Sequence, residues 1–493
     1  MSVRTRTRTI CVSALALGAL AACTVGPDYK RPPAPAPQAY REIDGWKPAT
    51  PREAASGAIW WAIYSDPVLD GLETQIAISN QNLKATEAAY RQSAALVEEA
   101  RAGYFPTITA GAGATRSATV LDSKGTGSTT QFIGNEFTAT GSASWAPDLW
   151  GRIRRTVESS VATAQASAAD IASARLSAQG TLASDYFQLR IDDELKRVLD
   201  ETITADQYAL DVTTNQYNAG FAAQTDVITA QTQLQGVQAQ EINIGVQRAE
   251  LEHAIAVLIG KSPADLAIPS GSLTRTVPVI PTGIPSTLLE RRPDIAVAER
   301  QAAAAHAQIG VAIAAYYPDI TLSASIGLQN SLLQNLLTTA SNVWSLGPSL
   351  TETVYDGGLR DAQVAAARAS YEQTVANYRQ TVLTAFQQVE DELSSLRILE
   401  NEQGVEEAAL RSSREALRLT LNQYQAGTVA YTAVVQAQTT ELTDEQQVLT
   451  ILQNRLIASV ALVQALGGGW TQSELPPADQ VRTSTPAADQ PPH

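Results

Sequence analysis

The chain has 493 residues, with 35 lysines and arginines against 50 acidic side chains, a formal net charge of −15 at pH 7 and only two cysteines. An acid excess of this size excludes a basic face for DNA, RNA or an anionic inner leaflet, so no nucleic acid partner is expected. Two cysteines cannot build a disulfide scaffold, and none of the three histidines, His253, His306 and His493, stands at zinc spacing from a cysteine or another histidine, so no metal is expected.

In chain order, Arg4, Arg6 and Arg8 precede an apolar run from Ile10 to Leu20 that closes on Leu20-Ala21-Ala22-Cys23. That is a secretory leader ending in a lipobox, and the run is too short to span hydrocarbon as a helix, which takes about 20 residues. Cleavage before Cys23 frees its thiol for a covalent lipid. Thr24 follows where an aspartate would favour retention at the inner membrane, so an outer-membrane address is expected. Loss of the leader removes three arginines and Cys11, taking the charge to about −18 and leaving no partner for a disulfide.

Beyond the leader the chain is written twice, at an offset of about 210 residues. Asn82-Leu83 aligns with Asp294-Ile295, and Tyr104-Phe105-Pro106 with Tyr316-Tyr317-Pro318. Asp148-Leu149-Trp150-Gly151 aligns with Val354-Tyr355-Asp356-Gly357, and the run Asn215 to Gly220 with Asn422 to Gly427. Each unit reads helix, strand, loop, strand, long helix, turn, long helix.

The strands alternate with period two, which sends successive side chains to opposite faces. Ile108, Ala110, Ala112 and Ala114 share one face while Thr107, Thr109, Gly111 and Gly113 take the other. Phe137, Ala139, Gly141, Ala143 and Trp145 oppose Thr138, Thr140, Ser142 and Ser144. The second unit repeats this with Ile320, Leu322, Ala324, Ile326 and Leu328 against Thr321, Ser323, Ser325 and Gln329, and with Trp344, Leu346 and Leu350 against Ser345, Ser349 and Thr351. A soluble sandwich with a hydroxyl-rich surface fits this pattern taken alone, as does a membrane barrel. In lipid, four strands cannot close on themselves, and an open edge strands backbone groups at several kcal/mol each. Two copies then give a barrel that side chains nearly fill, whereas three give twelve strands and a lumen. Trp145 and Trp344 stand near strand ends, where aromatic belts meet the membrane interface.

The long helices are rich in alanine. From Arg152 to about Tyr217 there is no proline and only Gly180, and roughly 65 residues at 1.5 Å each reach ~100 Å. A plain coiled-coil rod accounts for such helices but not for the strands between them. Gly220 and Gly427 stand where each long helix reverses, and glycine takes the positive φ that ends a helix. Gly151, Gly357 and Gly358 mark the other end, where strand becomes helix, with Asp148 and Asp356 placed to cap the helix starts.

At this point the motifs resemble a known family. Cys23 with Val25-Gly26-Pro27-Asp28-Tyr29, Trp60-Trp61, Asp66-Pro67, Leu288 through Ile295, Tyr317-Pro318 and the paired Tyr-x-x-Gly turns together resemble the TolC-like outer membrane factors, in the lipoprotein branch that serves resistance-nodulation-division efflux pumps. The resemblance implies a mainly α protein with a transmembrane β portion, a homotrimer whose twelve-stranded β-barrel continues into a twelve-helix periplasmic α-barrel. Its implied partners are a periplasmic adaptor, an inner-membrane pump and outer-membrane lipid; no cofactor is implied beyond the lipid on Cys23.

The organisation expected on this basis begins with a signal peptide at 1–22 and a lipidated, partly equatorial segment at 23–75. The first repeat follows at 76–262, with strands at about 105–118 and 136–147 and helices at about 151–217 and 225–260. An equatorial connection at 263–287 leads to the second repeat at 288–468, with strands at about 319–329 and 342–353 and helices at about 358–424 and 431–466. A tail runs from 469 to 493. The connections Leu121 to Asn135 and Asn330 to Ser341 suit the outer mouth.

The resemblance also implies a tip closed by contacts between helices and opened when an adaptor docks at Gly220 and Gly427. Asp226 and Tyr424 match positions that make such a contact, so a hydrogen bond between them is expected in the closed state. One departure stands out: Ala433 and Gln436 occupy places where relatives often carry aspartate. Constriction by Tyr431, Val434 or Gln436 is then expected in place of a carboxylate ring.

No phosphate-cradling loop, nucleophile elbow or metalloprotease motif is present, and no catalytic activity is expected. Asp192, Asp193 and Glu194 read as a solvated helix face rather than an acid and base pair. A one-step secretion duct would use the same barrel, and a structural envelope lipoprotein would need the helices but no membrane strands.

Overall fold

The computed structural model describes residues 25–35, 37, 39–42, 59–122, 129–273, 275–280 and 288–481. Cys23 and the leader lie outside the described residues. Two short helices come first, α1 (Pro67–Ser79) and α2 (Gln81–Ala102). Pro67 occupies the first turn of α1, where its missing N–H costs nothing, and the Asp66 carboxylate accepts from Val68 and Leu69 N–H as the cap. The strands β1 (Thr107–Asp122) and β2 (Thr129–Trp145) lead into α3 (Arg152–Asn218) and α4 (Gln224–Leu258). The second unit repeats the order with α5 (Pro293–Ala314), β3 (Asp319–Asn330), β4 (Asn342–Thr351), α6 (Leu359–Gln425) and α7 (Tyr431–Ala465).

The duplication is metrical. α2 and α5 each have 22 residues, α3 and α6 each 67, and α4 and α7 each 35. It also corrects one alignment: Gly151 is the N-cap of α3 and Gly358, not Gly357, is the N-cap of α6. The first hairpin departs from expectation too. Its strands run on to Asp122 and resume at Thr129, so much of the segment read as an outer loop is paired β-structure, because Thr119 to Asp122 finds partners in Thr129 to Phe132.

All four strands form one antiparallel sheet in the order β1-β2-β3-β4. Its register brings like faces together. Ala143 pairs with Ile108 and Ala324, Ala324 with Leu346, and Ile326 with Gly141 and Trp344, so a single apolar face crosses the sheet. The opposite face is a hydroxyl ladder in which Thr109, Ser142, Ser325 and Ser345 stand in one row, with Ser325 Oγ 2.8 Å from Ser345 Oγ.

The sheet covers nothing. Ile108 is 76% exposed, Ile326 72%, Leu346 76% and Trp344 77%, and an apolar face this bare is stable in lipid rather than in water. The aromatic residues mark its two ends. Trp145 closes β2 at the helix side, its indole donating to Tyr104 O at 2.9 Å, while Trp344 opens β4 at the far side.

The protein core lies half-way along the helices instead. Trp60, Trp61 and Tyr64, with Leu69 and Ile76 of α1, pack on Leu182, Tyr186 and Leu189 of α3, Val389 and Leu393 of α6 and Leu456 and Val460 of α7. α7 is long and apolar enough to cross a membrane by length and composition, yet 56% of its most apolar window is buried inside the protein. It is a wall helix packed on α6 and α3.

A buried ionic network fastens the connection between the repeats to this core. Asp193 accepts from Arg190 at 3.1 Å, from Arg248 at 2.7 Å and from the Gly271 N–H at 3.2 Å, while Arg190 donates to Pro269 O at 2.8 Å and to Tyr186 Oη at 2.9 Å. The acidic run read as a solvated face is therefore mostly buried: Asp192 is 5% exposed and Asp193 9%, and Glu194 pairs with Arg197 and Arg275. The helix turns this face toward the chain segment around 268–271, which sequence spacing cannot see. The tail packs nearer the sheet, with Gln165 donating to Pro476 O at 3.0 Å and Arg101 to Ala478 O at 3.1 Å.

Candidate functional site

Two ends of the helical body carry the features on which a duct depends. At the tip far from the sheet, α3 reverses into α4 through Gly220 at φ +85° and α6 into α7 through Gly427 at φ +73°. Both turns close in the same way. Phe221 N–H bonds Gln216 O at 2.8 Å and Thr428 N–H bonds Gln423 O at 2.9 Å, tying up carbonyls that the helix end leaves free. The two tips differ in chemistry, since Phe221 is 87% exposed where the second turn carries Thr428.

The gate candidates are placed differently from one another. Asp226 sits three residues into α4 and turns back on its own helix, where its carboxylate accepts from Ala223 N–H at 3.3 Å; a negative charge there also meets the positive end of the helix dipole. Tyr424 donates to Gln216 Oε1 at 2.7 Å. The expected hydrogen bond between Asp226 and Tyr424 is thus absent here, each group having a nearer partner. Gln216, which sequence reasoning missed, takes the tyrosine and links the first hairpin to the second.

Tyr431 and Val434 do not face a lumen. Tyr431 is 2% exposed and Val434 fully buried, packed with Ala230, Leu210, Leu417 and Leu421 between the hairpins, and the Tyr431 ring lies 5.4 Å from that of Tyr424. Positions 431, 434, 438 and 442 fall on one helical stripe, and that stripe faces the protomer's own interior. Of the constriction candidates only Gln436 remains exposed.

The same interior holds Asp206, 1% exposed with no hydrogen bond of good geometry. Burial pushes its carboxyl up to about 6, and the amides of Gln233 and Gln438 moderate that shift without cancelling it. Burial, with Asp206 nearby, pushes the Tyr431 phenol up to about 12. Asp206 left no sequence signal, because an aspartate on a long helix is ordinarily solvated.

At the sheet end the helix starts are capped as their sequences suggest. Asp148 accepts from Ile153 N–H at 2.9 Å and Arg154 N–H at 2.8 Å, and Asp356 accepts from Gly358 N–H at 3.0 Å and Arg360 N–H at 3.3 Å. Gly151, Gly357 and Gly358 all have positive φ, which lets strand turn sharply into helix. The two junctions hold each other. Trp150 stacks on Tyr317 at 4.9 Å and donates to Pro318 O at 2.8 Å.

The segment that follows Cys23 begins at this junction and runs down the helices. Val25 N–H bonds Trp150 O at 3.1 Å, Asp28 pairs with Arg155 at 3.0 Å, Tyr29 donates to Glu299 Oε1 at 2.7 Å, and Glu390 accepts from the backbone N–H of Arg41 and Glu42. Gly26 is required where it stands: at φ +96°, a Cβ would come within 2.8 Å of Gly310 Cα.

Comparison with known proteins bears on this geometry. The family model for outer membrane efflux proteins matches residues 72–261 and 284–468. The chain is 29% identical to the outer membrane protein OprJ of Pseudomonas aeruginosa over 469 residues, covering 94% of this chain and 96% of that one. It is 26% identical to the probable efflux pump outer membrane protein TtgC of Pseudomonas putida over 480 residues, covering 97% and 98%. Among solved structures it is similar to the outer-membrane channel OprN, at 27% identity and TM-score 0.83 over 91% of this chain and all of the other. It is also similar to the open state of the MtrE outer membrane channel of Neisseria gonorrhoeae, at 25% identity and TM-score 0.79 over 94% and 100%.

Proposed function

Since the chain belongs to the outer membrane efflux protein family, we propose that three copies close their sheets into one twelve-stranded barrel and stack their helices into a periplasmic tunnel. The protein is an outer-membrane efflux channel, and its duct is passive: the hydroxyl ladder of Thr109, Ser142, Ser325 and Ser345 lines a lumen with no enclosed binding pocket. Choice of cargo then rests with an inner-membrane pump of the resistance-nodulation-division class, reached through a periplasmic adaptor that docks at the Gly220 and Gly427 turns. Relatives are named for the efflux of toluene or antibiotics, and small toxic compounds of that kind are the cargo we assign.

The observation that carries this reading is the open sheet. It has two unpaired edges, β1 and β4, which are not stable in lipid until sister sheets supply the missing hydrogen bonds, and a bare apolar face that is stable in lipid and not in water. Lipid on Cys23 belongs to the same reading, and the seat of Val25 against Trp150 supports it, since an anchor two residues earlier would suit the barrel's lower rim. Extraction into detergent followed by imaging of single particles tests it: threefold particles with a continuous lumen are expected, and a monomer with a wet, unpaired sheet overturns it. Labelling with radioactive palmitate, lost on Cys23→Ser, checks the anchor.

A further inference from the structure

The β3–β4 connection is not shaped like a loop that rests in water. From Ile320 to Thr351 the chain holds no charged residue at all, whereas the β1–β2 hairpin carries Arg116, Asp122, Lys124 and Glu136. Within the connection, Leu332 is 50% exposed, Leu333 63% and Leu337 87%. Three bare leucines on an eleven-residue loop form an apolar patch that water penalises.

The loop is nevertheless tightly built. Two 3-10 turns, Leu333–Asn335 and Thr339–Ser341, are joined through Ser341, which is 1% exposed. Ser341 Oγ donates to Asn335 O at 2.8 Å and accepts from Asn330 Nδ2 at 2.7 Å, and Thr338 Oγ1 donates to the same carbonyl at 2.7 Å. Asn330 Oδ1 accepts from Leu332 N–H at 3.0 Å. One side chain, Asn330, therefore secures both ends of the loop.

The register says which way the loop folds. Asn330 pairs with Phe137, and paired residues share a face. Phe137 belongs with Ala139, Gly141, Ala143 and Trp145, so the Asn330 side chain stands on the apolar face and draws Ser341 and the loop toward it. The leucines thus continue the surface of Ile326, Leu346 and Trp344, one step beyond the outer aromatic residue, and not the hydroxyl ladder of the lumen.

We propose that this loop is a lipid foot: Leu332, Leu333 and Leu337 of each protomer seat among the upper acyl chains of the outer leaflet and hold the barrel's outer rim at fixed depth. The partner is hydrocarbon, which explains why no charge is kept in the hairpin. The proposal rests on the barrel reading above, and its test separates the two.

Nitroxide labels are placed by Leu333→Cys and Leu337→Cys, with Leu346→Cys as the reference for the lipid face and Ser325→Cys for the hydroxyl face. The full-length chain is reconstituted in lipid vesicles, and labelling of the unsubstituted chain supplies the background. Collision with dissolved oxygen, which concentrates in hydrocarbon, is compared with collision with a water-soluble nickel chelate. The expected result is an oxygen-to-nickel ratio at 333 and 337 close to that at 346 and well above that at 325. A ratio at 333 and 337 like that at 325 overturns the foot while leaving the barrel intact. Mutual dipolar broadening of the three labels, relieved by dilution with unlabelled chain, places the leucines on the threefold axis as a plug and overturns it equally. If the label at 346 also reports water, the barrel reading fails and the foot with it.

Discussion

Glu73 offers a sharp test of the energetics of the equatorial core. It lies on α1, is fully buried, and neither carboxylate oxygen has a hydrogen-bond partner among the described residues. Burial, reinforced by Asp70 one turn away, pushes its carboxyl from 4.5 up to about 9. The native protein therefore keeps a proton that the unfolded chain has lost. Between these two values each rise of one pH unit lowers folding stability by about 1.4 kcal/mol, stability being greatest below 4.5 and least above 9. From pH 5 to pH 8 the loss is roughly 4 kcal/mol at most. Glu73→Gln keeps the shape and does not titrate, so it removes this slope, whatever constant cost its amide hydrogens bring. With an unfolding entropy of about 2.1 cal/mol/K per residue, a chain of this length has ~1 kcal/mol/K, and 4 kcal/mol moves the midpoint by about 4 °C. Thermal unfolding of detergent-purified protein at a fixed scan rate from pH 5 to pH 8 should show the variant's midpoint rising relative to wild type by a few degrees as pH increases. Parallel curves for the two proteins would refute the argument, since every other titrating group is common to both.

Three further outcomes follow from the geometry. Leu346→Lys places a charge on the bare apolar face and should cost ~2–4 kcal/mol in lipid, abolishing assembled trimers on mild gels, whereas Ser325→Lys on the hydroxyl ladder should leave assembly intact and shift the pore toward anions in planar-bilayer recordings. Gly220→Val and Gly427→Val force a β-branched residue into positive φ at roughly 1–2 kcal/mol each; drug resistance of a deletion strain should be restored poorly by either, and full restoration by both would remove the tips from the docking role. Asp193→Asn strips the carboxylate from between buried Arg190 and Arg248 and should destabilise by about 3–5 kcal/mol, measured as a lower midpoint in the same thermal assay.

Much of the architecture was legible because its signals are local. Period-two alternation assigns a side chain's face without knowledge of any neighbour, and the strand register joins those faces into one apolar surface from Ile108 to Leu350. Gly220, Gly427 and Gly151 announce themselves because only glycine takes their backbone angles cheaply, and Asp148 and Asp356 because a cap acts within one helical turn. The β1–β2 hairpin extends further than its composition indicates, since a Gly- and Ser-rich stretch looks like a loop until a partner strand satisfies its backbone.

What the sequence determined by itself is periodicity: two matched units, strands with one oily and one hydroxylated face, and helices of a length set by their turns. Only the tertiary structure decided which stripe of each helix meets another chain segment. That choice buried Tyr431 and Val434 that had been read as a constriction, turned Asp193 inward onto two arginines, gave Tyr424 to Gln216 in place of Asp226, and closed Glu73 and Asp206 away from water. A helix of uniform alanine, glutamine and serine presents several faces of nearly equal polarity, so its orientation is set by contacts far apart in the chain, which residue spacing along one element does not encode.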